Sequence, residues 1–93
     1  MNVYIVVDIE GISGVVTAAQ IGTSGHLFSE GRRMMTEDIN VCVKACKEAG
    51  ADKVYVADVH GGTDVNVLWL DLCDEADGYV VGCGYNDPTR FPF

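Results

Sequence analysis

Apolar and polar positions alternate between two kinds of pattern along this chain. Residues 2–8 hold Val3, Tyr4, Ile5, Val6 and Val7 without a polar break. Such a run predicts a strand buried on both faces, as in a parallel sheet. Over about 30–49, and most clearly from Arg32 to Ala49, apolar residues recur at Met35, Ile39, Cys42, Cys46 and Ala49. Their spacing is helical and faces one way, so Met35, Ile39, Cys42 and Cys46 are expected in the core. Lys44 and Lys47 lie in the second half of that helix, where cations suit the dipole, and Gly50 follows as its cap. Residues 53–57, with Val54, Tyr55 and Val56, read as a second strand ending near Asp58, and 78–81 as a third. Short helices are expected at 17–22 and 67–76, where Trp69 and Leu70 should pack. The segments 8–14, 22–31 and 58–66 read as loops rich in glycine.

This order describes a βαβ unit with a third strand begun: an α/β fold of three-layer type, its sheet mostly parallel, its crossover right-handed. Ligands of open α/β sheets bind beyond the carboxyl ends of the strands. Asp8 and Glu10 follow the first strand, and Asp58 and His60 follow the second. Two carboxylates two residues apart repel unless a cation lies between them, and imidazole with carboxylates suits zinc or another divalent transition metal. Gly11, Gly14, Gly61 and Gly62 leave room for close backbone approach. Asn66 caps the following helix or holds the second acidic loop. Spacing alone leaves a second reading open, in which these are ordinary surface acids and a surface histidine.

Composition narrows the field. Fourteen Asp and Glu against six Lys and Arg give a formal charge of −8 over 93 residues, of which 48% are hydrophobic. One small folded domain is expected, with no basic footprint for nucleic acid or an anionic membrane. No apolar run nears the roughly 18 residues that cross a bilayer, and Asp8 and Glu10 interrupt the only apolar opening, so no signal peptide is expected. Cys42, Cys46, Cys73 and Cys83 form no CxxC and read as free thiols in a reducing cytoplasm. No GxGxxG, GxxxxGK[ST] or GxSxG motif is present. Arg32 and Arg33, placed near the helix start against the dipole, suggest a fixed partner for one of them. Asn40 either reaches a loop backbone or is solvated.

Three stretches together carry a resemblance. Val7-Asp8-Ile9-Glu10-Gly11-Ile12-Ser13-Gly14-Val15, then Arg32-Arg33-Met34-Met35-Thr36-Glu37-Asp38-Ile39-Asn40, then Ala49-Gly50-Ala51-Asp52 followed by Asp58-Val59-His60-Gly61-Gly62, resemble in order and spacing the M55 family of metallopeptidases. The resemblance implies a cytoplasmic, zinc-dependent aminopeptidase that removes N-terminal D-amino acids from short peptides. It implies two zinc ions per intact active site and a ring-shaped homo-oligomer. Asp8 resembles the carboxylate shared by both metals, and Glu10 and His60 resemble further ligands. Asp58 is expected to support the site, orienting His60 through its other ring nitrogen or fixing the loop, with Gly11, Gly61 and Asn66 as further support.

Family members are much longer. Their remaining His and Glu ligands and the histidine proposed for catalysis lie downstream, whereas no His follows His60 here and no Glu follows Glu75. Residues 1–93 are therefore expected to be the N-terminal portion of such a domain, with 83–93 as a divergent tail and with weak or no activity alone. Two other classes stay open: a magnesium-dependent phosphohydrolase with Asp8 as nucleophile, and a non-catalytic metal-binding or assembly fragment.

Overall fold

The first apolar run folds as strand β1 (Asn2–Val7), and the helical period as α1 (Phe28–Glu48). The second run folds as β2 (Lys53–Asp58), and Gly78–Val80 forms β3. The structure is a computed structural model and describes residues 1–61 and 65–81. Gly62, Cys83 and the expected tail at 83–93 lie outside the described residues. The sheet order is β1-β2-β3 with every pair parallel, Asn2 lying opposite Lys53, Val7 opposite Asp58 and Tyr55 opposite Gly78. The α/β fold with a parallel sheet is the one the sequence predicts.

Helix α1 starts before Arg32, so both arginines sit beyond its first turn, away from the positive end of the dipole. Its early residues cross the 14–20 segment closely. A Cβ on Gly31 would collide with the Gln20 carbonyl oxygen, which makes glycine necessary there. The helix closes in a Schellman pattern, with the Gly50 and Ala51 amides donating to Lys47 and Cys46 carbonyls and Gly50 at φ +97°.

The core forms where α1 lies on the sheet. Met35, Ile39 and Val43 meet Val7, Val54 and Val56, joined by Ile9, Ile12 and Val67. The expected core position of Cys42 is incorrect: it is exposed, and Cys46 is half-buried. Contacts with the 66–73 segment turn the buried arc of α1 toward Thr36 and Val43. Cys42 then falls on the opposite flank, lining a groove beside β1 with Ile5, Val6 and Val41. Cys42, Cys46 and Cys73 are free thiols.

Burial of β1 on both faces is also corrected. Val3, Ile5 and Val7 pack toward α1, while Tyr4 and Val6 remain 38% and 49% exposed. Among the described residues no helix covers that second face, where only Ala57 and Val59 are buried, against Val80. The helices expected at 17–22 and 67–76 shrink to single 3-10 turns, Ala18–Gln20 and Trp69–Asp71. The first is held by a Thr17–Gln20 capping box. In the second, Leu70 does not pack as expected, at 94% exposure, while Trp69, 54% exposed, packs edge-on against the Tyr79 ring at 6.1 Å between centroids. The backbone of this segment bonds to side chains of α1, and that competes with helix formation.

Candidate metal centre

Parallel pairing brings the ends of β1 and β2 together. Val7 lies opposite Asp58, and the Val59 amide donates to the Val7 carbonyl at 2.9 Å, carrying the pairing one step past β2. Asp8 and His60 are the residues that leave the sheet at that point. Beyond β1, Ile9 and Ile12 are drawn into the core, at 0% and 9% exposure. These two apolar anchors leave Asp8 and Glu10 on the outer side of the turn. Gly11, at φ +102°, supplies the left-handed step between the anchors, a conformation strained for any other residue. The Ser13 amide donates to Asp38 Oδ2 at 2.8 Å and ties the loop to α1.

The result is a convergence of Asp8, Glu10 and His60, with one possible ligand atom from each lying within 4.8 Å of the others. His60 Nδ1 stands 2.9 Å from Asp8 Oδ1 and 2.9 Å from Glu10 Oε1. Asp8 and His60 are about a quarter exposed, and Glu10 is 61% exposed. Burial lowers the imidazole pKa. The Asp8 hydrogen bond and the charges of Asp8, Glu10 and Asp58 outweigh it, so the pKa stands above its ordinary value. A ring nitrogen between two carboxylates is a position where a proton and a metal cation compete. The donor set of two carboxylate oxygens and one imidazole fits zinc. His26 is not part of this cluster.

Asp58 lies beneath the site, 1% exposed. Its Oδ1 accepts the His60 backbone amide at 3.1 Å. Asn66, fully buried, donates its side-chain amide to both Asp58 oxygens, at 3.3 and 3.1 Å, and its backbone amide to Oδ2 at 3.3 Å. These contacts fit one of the two supporting roles expected for Asp58, fixing the loop, and ring Nδ1 of His60 faces Asp8 and Glu10. Burial pushes the Asp58 carboxyl up, opposed by the Asn66 and His60 bonds. Among the described residues, no atom lies within 4 Å of where a Cβ on Gly61 would be. Of the two roles open to Asn66, it holds the loop. Replacing Asn66 with Ala should cost about 1–3 kcal/mol in chemical denaturation, because the buried Asp58 carboxylate loses the side-chain amide that donates to both its oxygens.

The fixed partner expected for one of the two arginines is found for Arg32, and Asn40 reaches a loop backbone, the first of its two options; Thr36 is the residue to which sequence reasoning gave no role. Arg32, Thr36 and Asn40 recur every four residues and all bond to the 66–73 segment. The signal available was that spacing, which puts polar groups on one helix row.

Fold and comparison agree on the class, an α/β protein with a parallel sheet. The Peptidase M55 family, described as D-aminopeptidase, matches residues 1–88, and the chain belongs to that family. It is 34% identical over 77 residues to the D-aminopeptidase of Bacillus subtilis (strain 168), covering 83% of this chain and 28% of that protein. Among solved structures it resembles the Zn-dependent D-aminopeptidase DppA from Bacillus subtilis, described as a self-compartmentalizing protease. The TM-score there is 0.80 at 33% identity, over 88% of this chain and 29% of the other. The chain thus spans less than a third of the length of these relatives. Among the described residues no helix is long and apolar enough to cross a membrane.

Proposed function

We propose that Asp8, Glu10 and His60 are zinc ligands of an aminopeptidase centre whose substrates are short peptides carrying an N-terminal D-amino acid. The observation that carries this reading is the meeting of the three side chains at the carboxyl edge of two adjacent parallel strands. Membership of the D-aminopeptidase family and the likeness to a Zn-dependent relative support it. Zinc held there would acidify a bound water and polarise a peptide carbonyl. The chain's own residues do the rest. Asp8, at the tip of β1, is the central carboxylate. Asp58 keeps the His60 backbone in place, and Glu10, the most exposed of the three, lies nearest to solvent. A net charge of −8 favours the approach of a peptide's free ammonium group. Self-assembly is part of the proposal, because the structural relative is described as self-compartmentalizing.

Proton NMR tests the site. Added zinc should shift the ring resonances of His60 and leave those of His26 in place. Movement of His26 instead, or of neither ring, would contradict the assignment. In an activity assay, release of D-alanine from D-alanyl peptides should be slow and zinc-dependent. Release that persists unchanged with a chelator would remove the metallopeptidase reading.

The raised His60 pKa gives a signed pH dependence. Zinc and the ring proton compete, so affinity should fall about tenfold per pH unit below that pKa and level off above it. Metal-free stability should run the other way. The imidazolium held by Asp8 and Glu10 stabilises the fold fully below the unfolded histidine value of about 6.5, and this contribution fades as pH rises through the higher folded value. Zinc titrations and thermal melts across that range check both signs. A metal-free melting temperature that rises over the same interval in wild type relative to His60→Gln would contradict the second.

A further inference from the structure

We infer that Arg32, Thr36 and Asn40 on α1 are positioning residues for the candidate metal loop, acting through the 66–73 segment. The inference rests on the zinc-site reading above and adds three residues to it. Arg32 Nη2 donates to the Val67 carbonyl at 2.9 Å. The Thr36 hydroxyl accepts the Leu68 amide at 2.9 Å while donating to the Arg32 carbonyl at 2.8 Å. Asn40 reaches furthest, its Nδ2 donating to the Asp71 carbonyl at 2.8 Å and its Oδ1 accepting the Cys73 amide at 2.7 Å. Residues i, i+4 and i+8 of a helix share one row, so these three form a ladder along one line of α1.

The ladder matters because of what it holds. Within 66–73 the only regular element is the turn Trp69–Asp71, so most of the segment's backbone bonding comes from outside it. All four anchored groups, the Val67 and Asp71 carbonyls and the Leu68 and Cys73 amides, lie outside that turn's own carbonyl–amide bonds. The next residue back from Val67 is Asn66. Its three bonds to Asp58, and the Asp58 bond to the His60 amide, complete a path from α1 to the backbone that carries the imidazole. Every side chain in the middle of that path is buried: Thr36 at 2%, Asn66 at 0% and Asp58 at 1%. In a close-packed interior a shift of one such group is passed to the next. Arg32 is itself fixed, its guanidinium lying 5.5 Å from the Phe28 ring centroid.

The test uses the 93-residue chain and four variants. Thr36→Val keeps the shape of the side chain and removes its hydroxyl. Thr36→Ser restores the hydroxyl. Val43→Ala weakens the same helix from a fully buried position that takes no part in the ladder. Asn40→Ala breaks the far end from a half-buried position and serves if Thr36→Val does not fold. Two readouts are taken: zinc affinity by competition titration, and amide hydrogen exchange of His60 and Asn66 without metal.

Thr36→Val should lower zinc affinity about tenfold or more, in the range seen for groups that orient metal ligands. It should also speed exchange of the His60 and Asn66 amides relative to those of the β1–β2 pairing. Thr36→Ser should return both to wild type. Val43→Ala should speed exchange throughout and leave zinc affinity unchanged. Wild-type affinity in Thr36→Val, or an exchange pattern matching that of Val43→Ala, would overturn the positioning role. A wild type that takes up no zinc, with the two amides still selectively freed in Thr36→Val, would retain the ladder's hold on the loop and overturn the site reading instead.

Discussion

Ile39→Asp unfolds the chain. Ile39 is 2% exposed and lies in the row of α1 residues, with Met35 and Val43, that meets Val7, Val54 and Val56. The substitution removes a buried aliphatic side chain and puts a carboxylate where the surrounding cluster is apolar. Losing the burial and leaving a cavity costs about 2–5 kcal/mol, and an uncompensated charge adds several more unless the group takes up a proton. A folded chain of this length holds roughly 5–14 kcal/mol of stability in all. Circular dichroism should therefore show loss of the helical signal at ambient temperature. Val41→Asp, on the exposed side of the same helix at 68% exposure, should melt close to wild type. A cooperative melt of Ile39→Asp near the wild-type temperature would mean that α1 does not lie on the sheet as described.

The contrast between these two positions shows what can be read from sequence. Strands β1 and β2 and helix α1 were legible because each repeats one period over many residues, so the pattern survives a few misplaced side chains. Cys42 was misplaced because helical spacing gives the width of an apolar arc but not its centre. The centre is set by Thr36 and its contacts with 66–73, and a threonine carries no apolar signal. Trp69 and Leu70 misled for the opposite reason. They are strongly apolar, yet their segment is anchored through its backbone, which leaves Leu70 outward and Trp69 at the surface, edge-on to Tyr79. The reading of β1 as doubly buried treated an unbroken apolar run as evidence for two covered faces, whereas among the described residues only the α1 side has a covering helix.

The convergence of Asp8, Glu10 and His60 was legible for a topological reason. Parallel strands deliver their carboxyl ends to one edge, so an acidic turn after β1 and a histidine turn after β2 must come close. What spacing could not show is how the histidine is held. Asn66 had two possible roles on sequence grounds, and the polar row Arg32, Thr36 and Asn40 resembles a solvated helix face until the segment across from it is known.

Asp8→Asn should cause the largest loss of zinc affinity among single changes at the site, about 100-fold or more, since changes to groups that merely orient ligands already cost about 10–100-fold. Asn keeps the size and shape of Asp and can still meet the His60 ring, so folding is preserved and the effect reports on binding. It relieves repulsion between Asp8 and Glu10 but removes the charge that holds the His60 imidazolium, so the comparison is made above the His60 pKa, where the ring is neutral in both proteins. Asp58→Asn leaves all three candidate ligands in place. Its loss should be smaller, arising from a less rigid His60 backbone.

Calorimetric zinc titration of wild type, Asp8→Asn and Asp58→Asn puts the central claim to its most direct test. The site described here predicts measurable binding by wild type, a reduced affinity for Asp58→Asn, and a far larger loss for Asp8→Asn. Equal losses in the two variants, or binding unchanged without the Asp8 carboxylate, would contradict it and leave these side chains as an ordinary acidic surface.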